Sequence, residues 1–275
     1  QGLIEDVQTL SSNLVTNGDF SQEGSELVTN GDFATDLSGW TVTDGAAGIE
    51  ITWTANGVSF ITDGAGGGIQ QSGILTIGKS YLIEFDYTAV SGAIKMLPYF
   101  ADISETKRYS GYFVATTTNI SFYRNLAGTE GIIDNVSVKE VGQDWTLGTG
   151  WSIGANKATA TDAVFGAVIA DNTTLVANKK YKVSFDVSDY VKGNVRVTVG
   201  NSFSSNVSSN GSFTFIITSL NTNAFKAQTR AGGSGTTLSI SNISVIEITE
   251  DTNLPRIDYE GFSYQDALGS ELIVN

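Results

Sequence analysis

Along much of the chain, apolar and polar residues alternate with a period of two. In Tyr81-Leu-Ile-Glu-Phe-Asp-Tyr-Thr88, one side carries Tyr81, Ile83, Phe85 and Tyr87 and the other Leu82, Glu84, Asp86 and Thr88. Residues 181–188 repeat this alternation, and residues 194–199 follow it. Successive side chains of a strand point to opposite faces, so such runs predict antiparallel strands with one buried and one wetted face. Between them lie clusters of Gly, Asn, Ser and Asp, as in residues 62–68 and 201–212, with the composition of turns. Many short strands punctuated in this way predict an all-β protein of antiparallel β-sandwich type.

The pattern occurs twice. Tyr81, Phe85 and Asp86 correspond to Tyr181, Phe185 and Asp186, and Asn135-Val-Ser-Val138 corresponds to Asn242-Ile-Ser-Val245. Upstream, Gly39-Trp40 matches Gly150-Trp151. Matched landmarks in one order predict two tandem modules, 25–142 and 143–250, each with its own core, and a protease-accessible connection near 141–146. Residues 1–24 read as a linker or a helical stub, because Leu3, Val7, Leu10 and Leu14 have the spacing of a coiled-coil seam, which would make the protein a homo-trimer. A shorter repeat is nearly perfect: Leu14-Val-Thr-Asn-Gly-Asp-Phe20 recurs as Leu27-Val-Thr-Asn-Gly-Asp-Phe33. Glu271-Leu-Ile-Val-Asn275 echoes the approach to it, so residues 251–275 read as a linker and the start of a further module.

Composition narrows the chemistry. The chain of 275 residues has no His and no Cys, which excludes imidazole- and thiolate-based nucleophile systems, zinc sites and disulfides. Its formal charge of -14 repels phosphate backbones and anionic bilayers, so neither nucleic acid nor membrane is an expected partner. No apolar run approaches the ~18 residues of a membrane span. Gly73-Ile-Leu-Thr-Ile-Gly-Lys-Ser80 satisfies the spacing of a phosphate-binding loop, but that loop needs a helix after it and here a strand pattern follows. Glu84 and Asp86 share a strand face without the placement of an acid–base pair, and no other residues suggest catalysis, so no enzymatic activity is expected.

Asn30-Gly-Asp-Phe33, Gly39-Trp40, the Tyr81 strand and Ile132-Ile-Asp-Asn-Val-Ser-Val138 together resemble the jelly-roll, galactose-binding-like carbohydrate-binding modules of bacterial xylanases and related glycanases. Residues 143–250 resemble them more loosely, through Trp151, the Tyr181 strand and Ile240-Ser-Asn-Ile-Ser-Val245. Thr252-Asn-Leu-Pro-Arg-Ile-Asp-Tyr259 is similar to a segment of bacteriophage head-fibre, tail-fibre and other virion structural proteins, in which Asn-Gly-Asp-Phe modules also occur in series. These resemblances imply a non-enzymatic virion structural or adhesion protein at the virion surface or otherwise extracellular, with other virion proteins or host-surface glycans as partners. The alternative is a carbohydrate-binding segment of a secreted bacterial glycanase or cell-surface protein.

The sugar-binding resemblance implies a structural calcium between the opening and closing segments, with Asp32 and Asp134 as ligands; turn chemistry of Asp and Asn is the other reading of the same residues. Sugar recognition needs exposed aromatic faces beside polar groups. Trp53, Tyr99, Tyr109, Tyr112 and Tyr123 are the candidates, each weighed against a role in the core. Phe122 and Tyr123 alternate, and Phe122 is the better core residue of the two.

Overall fold

The computed structural model describes residues 8–43, 49–62, 67–97, 99–230 and 235–250. Among them every regular element is a strand. Four antiparallel sheets form two sandwiches. In the first, the large sheet runs Lys107–Val114, Ser80–Ser91, Thr129–Val141, Gly57–Thr62, Ile49–Thr54, with Glu23–Glu26 also paired to Thr129–Val141. Its small sheet runs Thr41–Thr43, Gly68–Gln71, Ile120–Arg124, Ile94–Leu97, Phe100–Ile103. The second sandwich repeats the order. Its large sheet is Trp151–Gly154, Lys157–Ala163, Thr236–Glu250, Lys180–Lys192, Gly211–Thr218. Its small sheet is Thr146–Leu147, Val168–Ala170, Lys226–Thr229, Val195–Val199, Ser202–Phe203.

The period-two pattern places the cores. Tyr81, Ile83, Phe85 and Tyr87 are all buried in the first cluster, where the Phe85 ring meets Phe122 edge-on at 5.0 Å and ties the large sheet to the small one. Tyr181, Val183, Phe185 and Val187 do the same in the second. The phosphate-loop string is a turn, with Gly73 and Gly78 both at positive φ and Ser80–Ser91 following directly. Glu84 and Asp86 lie on the outer face, bridged by Arg108 at 3.2 and 3.3 Å.

The short repeat explains how each sandwich closes. In the copy at 27–33, the Gly31 carbonyl accepts from the Val136 N–H at 2.8 Å. A Cβ on Gly31 would be driven into the Val136 carbonyl oxygen, so only glycine permits this approach. Phe33 enters the core against Trp40, ring centroids 5.4 Å apart, and the Trp40 indole N–H donates to the Asn30 carbonyl at 3.1 Å. Asn30 and Phe33 both hold positive φ, so the four residues make one tight wedge.

The copy at 14–20 makes the same contacts, but with the other sandwich. The Gly18 carbonyl accepts from Ile243 N–H at 2.9 Å, Leu14 N–H donates to the Val245 carbonyl at 2.9 Å, and Phe20 packs 5.0 Å from Trp145. The Trp145 indole N–H donates to the Asn17 carbonyl at 3.1 Å. Gln8–Leu10 adds a strand to Thr236–Glu250. The segment expected as a linker or helical stub is therefore the opening edge of the second sandwich: Leu10 lies in a strand and Leu14 on a strand ladder, while Leu3 and Val7 lie outside the described residues. Residues 23–141, the first sandwich, are inserted between Phe20 and Trp145. Trp40 corresponds to Trp145, not to Trp151, which instead occupies the hairpin position of Ile51.

The connection expected to be cut by proteases is packed. Val141 and Trp145 are buried, and both belong to the second cluster. Leu82, on the nominally wet face of its strand, is buried there too, because the second sandwich covers it. The Ile153 N–H donates to the Ser80 hydroxyl at 3.0 Å across the joint.

This nesting separates two mutants that look equivalent in sequence. Phe20→Ala and Phe33→Ala should each cost about 3–5 kcal/mol. Hydrogen exchange should show Phe20→Ala opening amides of residues 181–187 and 243–248 while those of 83–87 stay protected, and Phe33→Ala the reverse. Matching exchange in the two variants would refute the nested assignment.

Candidate functional site

The five aromatic candidates have separate fates. Tyr99 stacks on Phe113 with ring centroids 3.7 Å apart, and its hydroxyl accepts from the Thr116 N–H at 3.0 Å. Tyr109 stacks on Phe85 at 5.2 Å with an interplanar angle of 5°, its hydroxyl exchanging hydrogen bonds with the Glu105 backbone. Both rings line the core. Tyr112 is 47% exposed, yet its ring lies where any side chain on Gly154 would have to go, so it belongs to the joint between sandwiches. Trp53 is 40% exposed on the edge strand Ile49–Thr54, opposite Val58. Its indole N–H donates to the Phe33 carbonyl at 2.6 Å, fixing the ring over the wedge.

Tyr123 is different. Phe122 is buried and Tyr123 turns to the outer face of the small sheet, as the alternation predicts. Its cross-strand partners are Gly68 on one side and Lys95 on the other. A Cβ on Gly68 would collide with the Tyr123 ring, so only glycine leaves room for the ring there. The next row of the same face holds Gln70, Ser121 and Leu97. The Ser121 hydroxyl donates to Gln70 Oε1 at 3.2 Å, and Gln70 Nε2 donates to Ser72 Oγ at 2.8 Å. Among the described residues Lys95 has no ion-pair partner. A flat ring beside hydroxyl, amide and ammonium groups offers an apolar platform with hydrogen-bonding groups at its edge.

Asp32 and Asp134 come near one another at the wedge, beside Asp86 and Asn135. Asp134 Oδ1 accepts from the Asn135 N–H at 2.8 Å, and the Asn135 amide reaches Asp86 Oδ2 at 2.8 Å. Asp86 is also held by Arg108. Burial, joined by the charges of Asp86 and Asp32, raises the Asp134 carboxyl above the ordinary carboxylate range against the opposing pull of the Asn135 N–H. A calcium ion takes six to eight oxygens. Among the described residues no three Asp or Glu side chains converge to hold a metal ion, and Asp32 itself is exposed. The carboxylates of Asp32, Asp86 and Asp134 thus lie around one turn, where their charges repel. In the second sandwich Ser241 stands at the Asp134 position, and Asp186 is held below the usual carboxylate range by Asn242 and Ser212.

The raised Asp134 has a pH signature. Its native state keeps a proton that the unfolded chain releases, so stability falls as pH rises from the ordinary carboxylate pKa through the raised one. Asp134→Asn, which keeps an acceptor for the Asn135 N–H, should raise the unfolding temperature at neutral pH. The gain should vanish below about pH 3.9, the unperturbed Asp value. A gain that persists there would refute the charge account. Calcium separates the two readings of this turn: a calcium-dependent rise in the unfolding temperature that Asp134→Asn abolishes supports a bound ion, and an unfolding temperature indifferent to calcium and chelator supports turn chemistry alone.

No family model and no curated protein matches the chain. Among solved structures it is similar to the N-terminal CBM22-1–CBM22-2 tandem domain of Xyn10C from Paenibacillus barcinonensis, at 10% identity and a TM-score of 0.35, covering 82% of this chain and 99% of that one. It is also similar to the secreted serine protease VesC from Vibrio cholerae, at 12% identity and a TM-score of 0.28, covering 66% of this chain and 46% of that one. A Paenibacillus xanthan lyase matches at 13% identity and a TM-score of 0.24, covering 78% of this chain and 25% of that one. The fold itself is read from the paired sheets above.

Proposed function

We propose that the protein is a non-catalytic glycan-binding protein and that the outer face of the first sandwich's small sheet holds the sugar. The observation that carries this is the partly exposed Tyr123 ring set over Gly68 with Gln70, Ser121 and Lys95 around it. Sugar rings present C–H faces that pack on aromatic surfaces while their hydroxyls seek amides and hydroxyls. Of the five aromatic residues singled out in the sequence, the other four are engaged in the core, the wedge or the joint. The absence of His and Cys, and the bridging of Glu84 and Asp86 by Arg108, support a binding role rather than a catalytic one.

The setting we propose is extracellular, on a virion surface. Its support is the resemblance of residues 252–259 to phage virion proteins, a segment outside the described residues. The resemblance of the wedge motif to xylanase-associated modules supports the other setting, a binding segment of a secreted glycanase or cell-surface protein. Both settings use the same face.

Tyr123→Ala should reduce retention on a neutral-glycan array to background while leaving the unfolding temperature within a few degrees of wild type. Stacking of a sugar's C–H face is lost with the ring, whereas a tyrosine on the outer face of the sheet contributes little to the core. Trp53→Ala should lower stability through the wedge and leave glycan retention intact. Retention unaffected by Tyr123→Ala, or lost only with Trp53→Ala, would move the site away from this face.

A further inference from the structure

The corresponding face of the second sandwich has a different chemistry. On its small sheet, Val168, Gln228 and Arg196 form one outward row, with Lys226 on the next row and Arg230 just beyond the end of Lys226–Thr229. Arg196 donates to Gln228 Oε1 through Nε at 3.2 Å and a terminal nitrogen at 2.9 Å. Its guanidinium carbon lies 3.6 Å from the centre of the Phe203 ring. Arg230 sits over Phe165 in the same way, at 4.2 Å. The two rings are 53% and 57% exposed. Arg196 faces Gln228, and Arg230 is two residues along the same strand, so the two arginine backbones stand roughly 8 Å apart.

Among the described residues none of these three cations has an acidic partner, in a chain whose formal charge is -14. Most carboxylates of the second sandwich are engaged elsewhere, and Asp144 lies beside Asp171. Asp162 pairs with Lys192, Asp189 with Lys157 and Glu247 with Lys179. Asp186 is bound by Ser212 and Asn242, and Asp171 is buried against Thr173. Burial and the neighbouring charge of Arg230 both work against the Arg196 cation. An arrangement that holds two guanidiniums over exposed rings, braces one with an amide, and among the described residues supplies no carboxylate leaves its counter-charge to come from outside.

We infer that this face is a binding platform for an anionic glycan, in which Arg196 and Arg230 receive the carboxylates of uronic-acid units whose rings pack beside Phe203 and Phe165. Guanidinium forks match carboxylates bidentately, and a fork already stacked on a ring loses little freedom when it binds. The inference extends the glycan-binding reading to the second sandwich and rests on it for the class of ligand alone. Charge complementarity selects a polyanion over a neutral sugar. The strongly negative remainder of the chain disfavours a dense polyphosphate, which three cations would not offset.

Affinity electrophoresis and calorimetry of the full chain with polygalacturonate, beside the same polymer fully methyl-esterified, test this. Binding is expected for the acid form, absent for the ester, and weakened by raised salt. Arg196→Gln and Arg230→Gln should each weaken it about ten- to a hundredfold. Arg196→Lys, which keeps charge without the planar fork, should recover only part. No binding to polygalacturonate at low salt, equal binding to the ester, or indifference to both substitutions would overturn the proposal. So would sedimentation showing that the Arg→Gln variants dissociate a dimer, which would assign the face to an acidic surface of a second copy. Tyr123→Ala should leave polygalacturonate binding untouched, so failure on neutral glycans and failure here are read separately.

Discussion

Everything in this molecule hangs on a glycine carbonyl accepting a hydrogen bond from the strand that closes its sandwich. Gly31 does this for Val136 and Gly18 for Ile243, and in each case the adjacent Phe seals the core against a Trp whose indole N–H caps the same turn. Without that wedge the last strand of each large sheet would have an open edge and the core an open end. The first sandwich closes over a separation of 112 residues between Glu26 and Val138. The second closes over 232, between Asn13 and Val245. Loop-closure entropy grows only with the logarithm of length, so that near doubling costs about 0.6 kcal/mol. Nesting one sandwich inside another is cheap once the inner one has folded and brought residues 23 and 141 side by side.

Most of the architecture was legible in the sequence because period-two alternation is a direct record of which face is buried. It located Ile83, Phe85, Val183 and Phe185 inside, and it separated Phe122 from Tyr123. What it missed has physical reasons. Alternation reports one strand at a time, so it could not show that Leu82 would be covered by a neighbouring sandwich. Adjacency in sequence suggested tandem modules, whereas closure is decided by which strand accepts the wedge. The signal for nesting was present: two copies of the wedge and two closing strands, with one wedge opening the first module and the other lying ahead of it. The Gly-Trp match misled because Trp145 follows Asp144 rather than a glycine, although Trp145 is the residue that repeats the Trp40 hydrogen bond.

The candidate site was less legible. Tyr123 was among five aromatics that sequence alone could not rank, because stacking of Tyr99 on Phe113 and of Tyr109 on Phe85 is a property of packing across sheets. Arg196 fell on a polar position of an alternating strand and read as ordinary solvated surface. Its distinction comes from the company it keeps, a ring beneath it and no acid within reach. The same fold thus presents a tyrosine with a single lysine beside it on one module and a pair of ring-stacked arginines on the other.

The nesting also decides how the molecule would bear tension. Residue 8 lies directly opposite residue 250 in an antiparallel pair, so chain entering at one and leaving at the other departs from a single corner. A pull there would peel the ladder open one hydrogen bond at a time instead of shearing many at once. The outer sandwich would yield first, and only then would load reach the inner one, whose own ends are likewise paired at a common edge. Such a chain behaves as two springs that extend in a fixed sequence, lengthening under load while the inner sandwich, with Tyr123 on its face, stays folded.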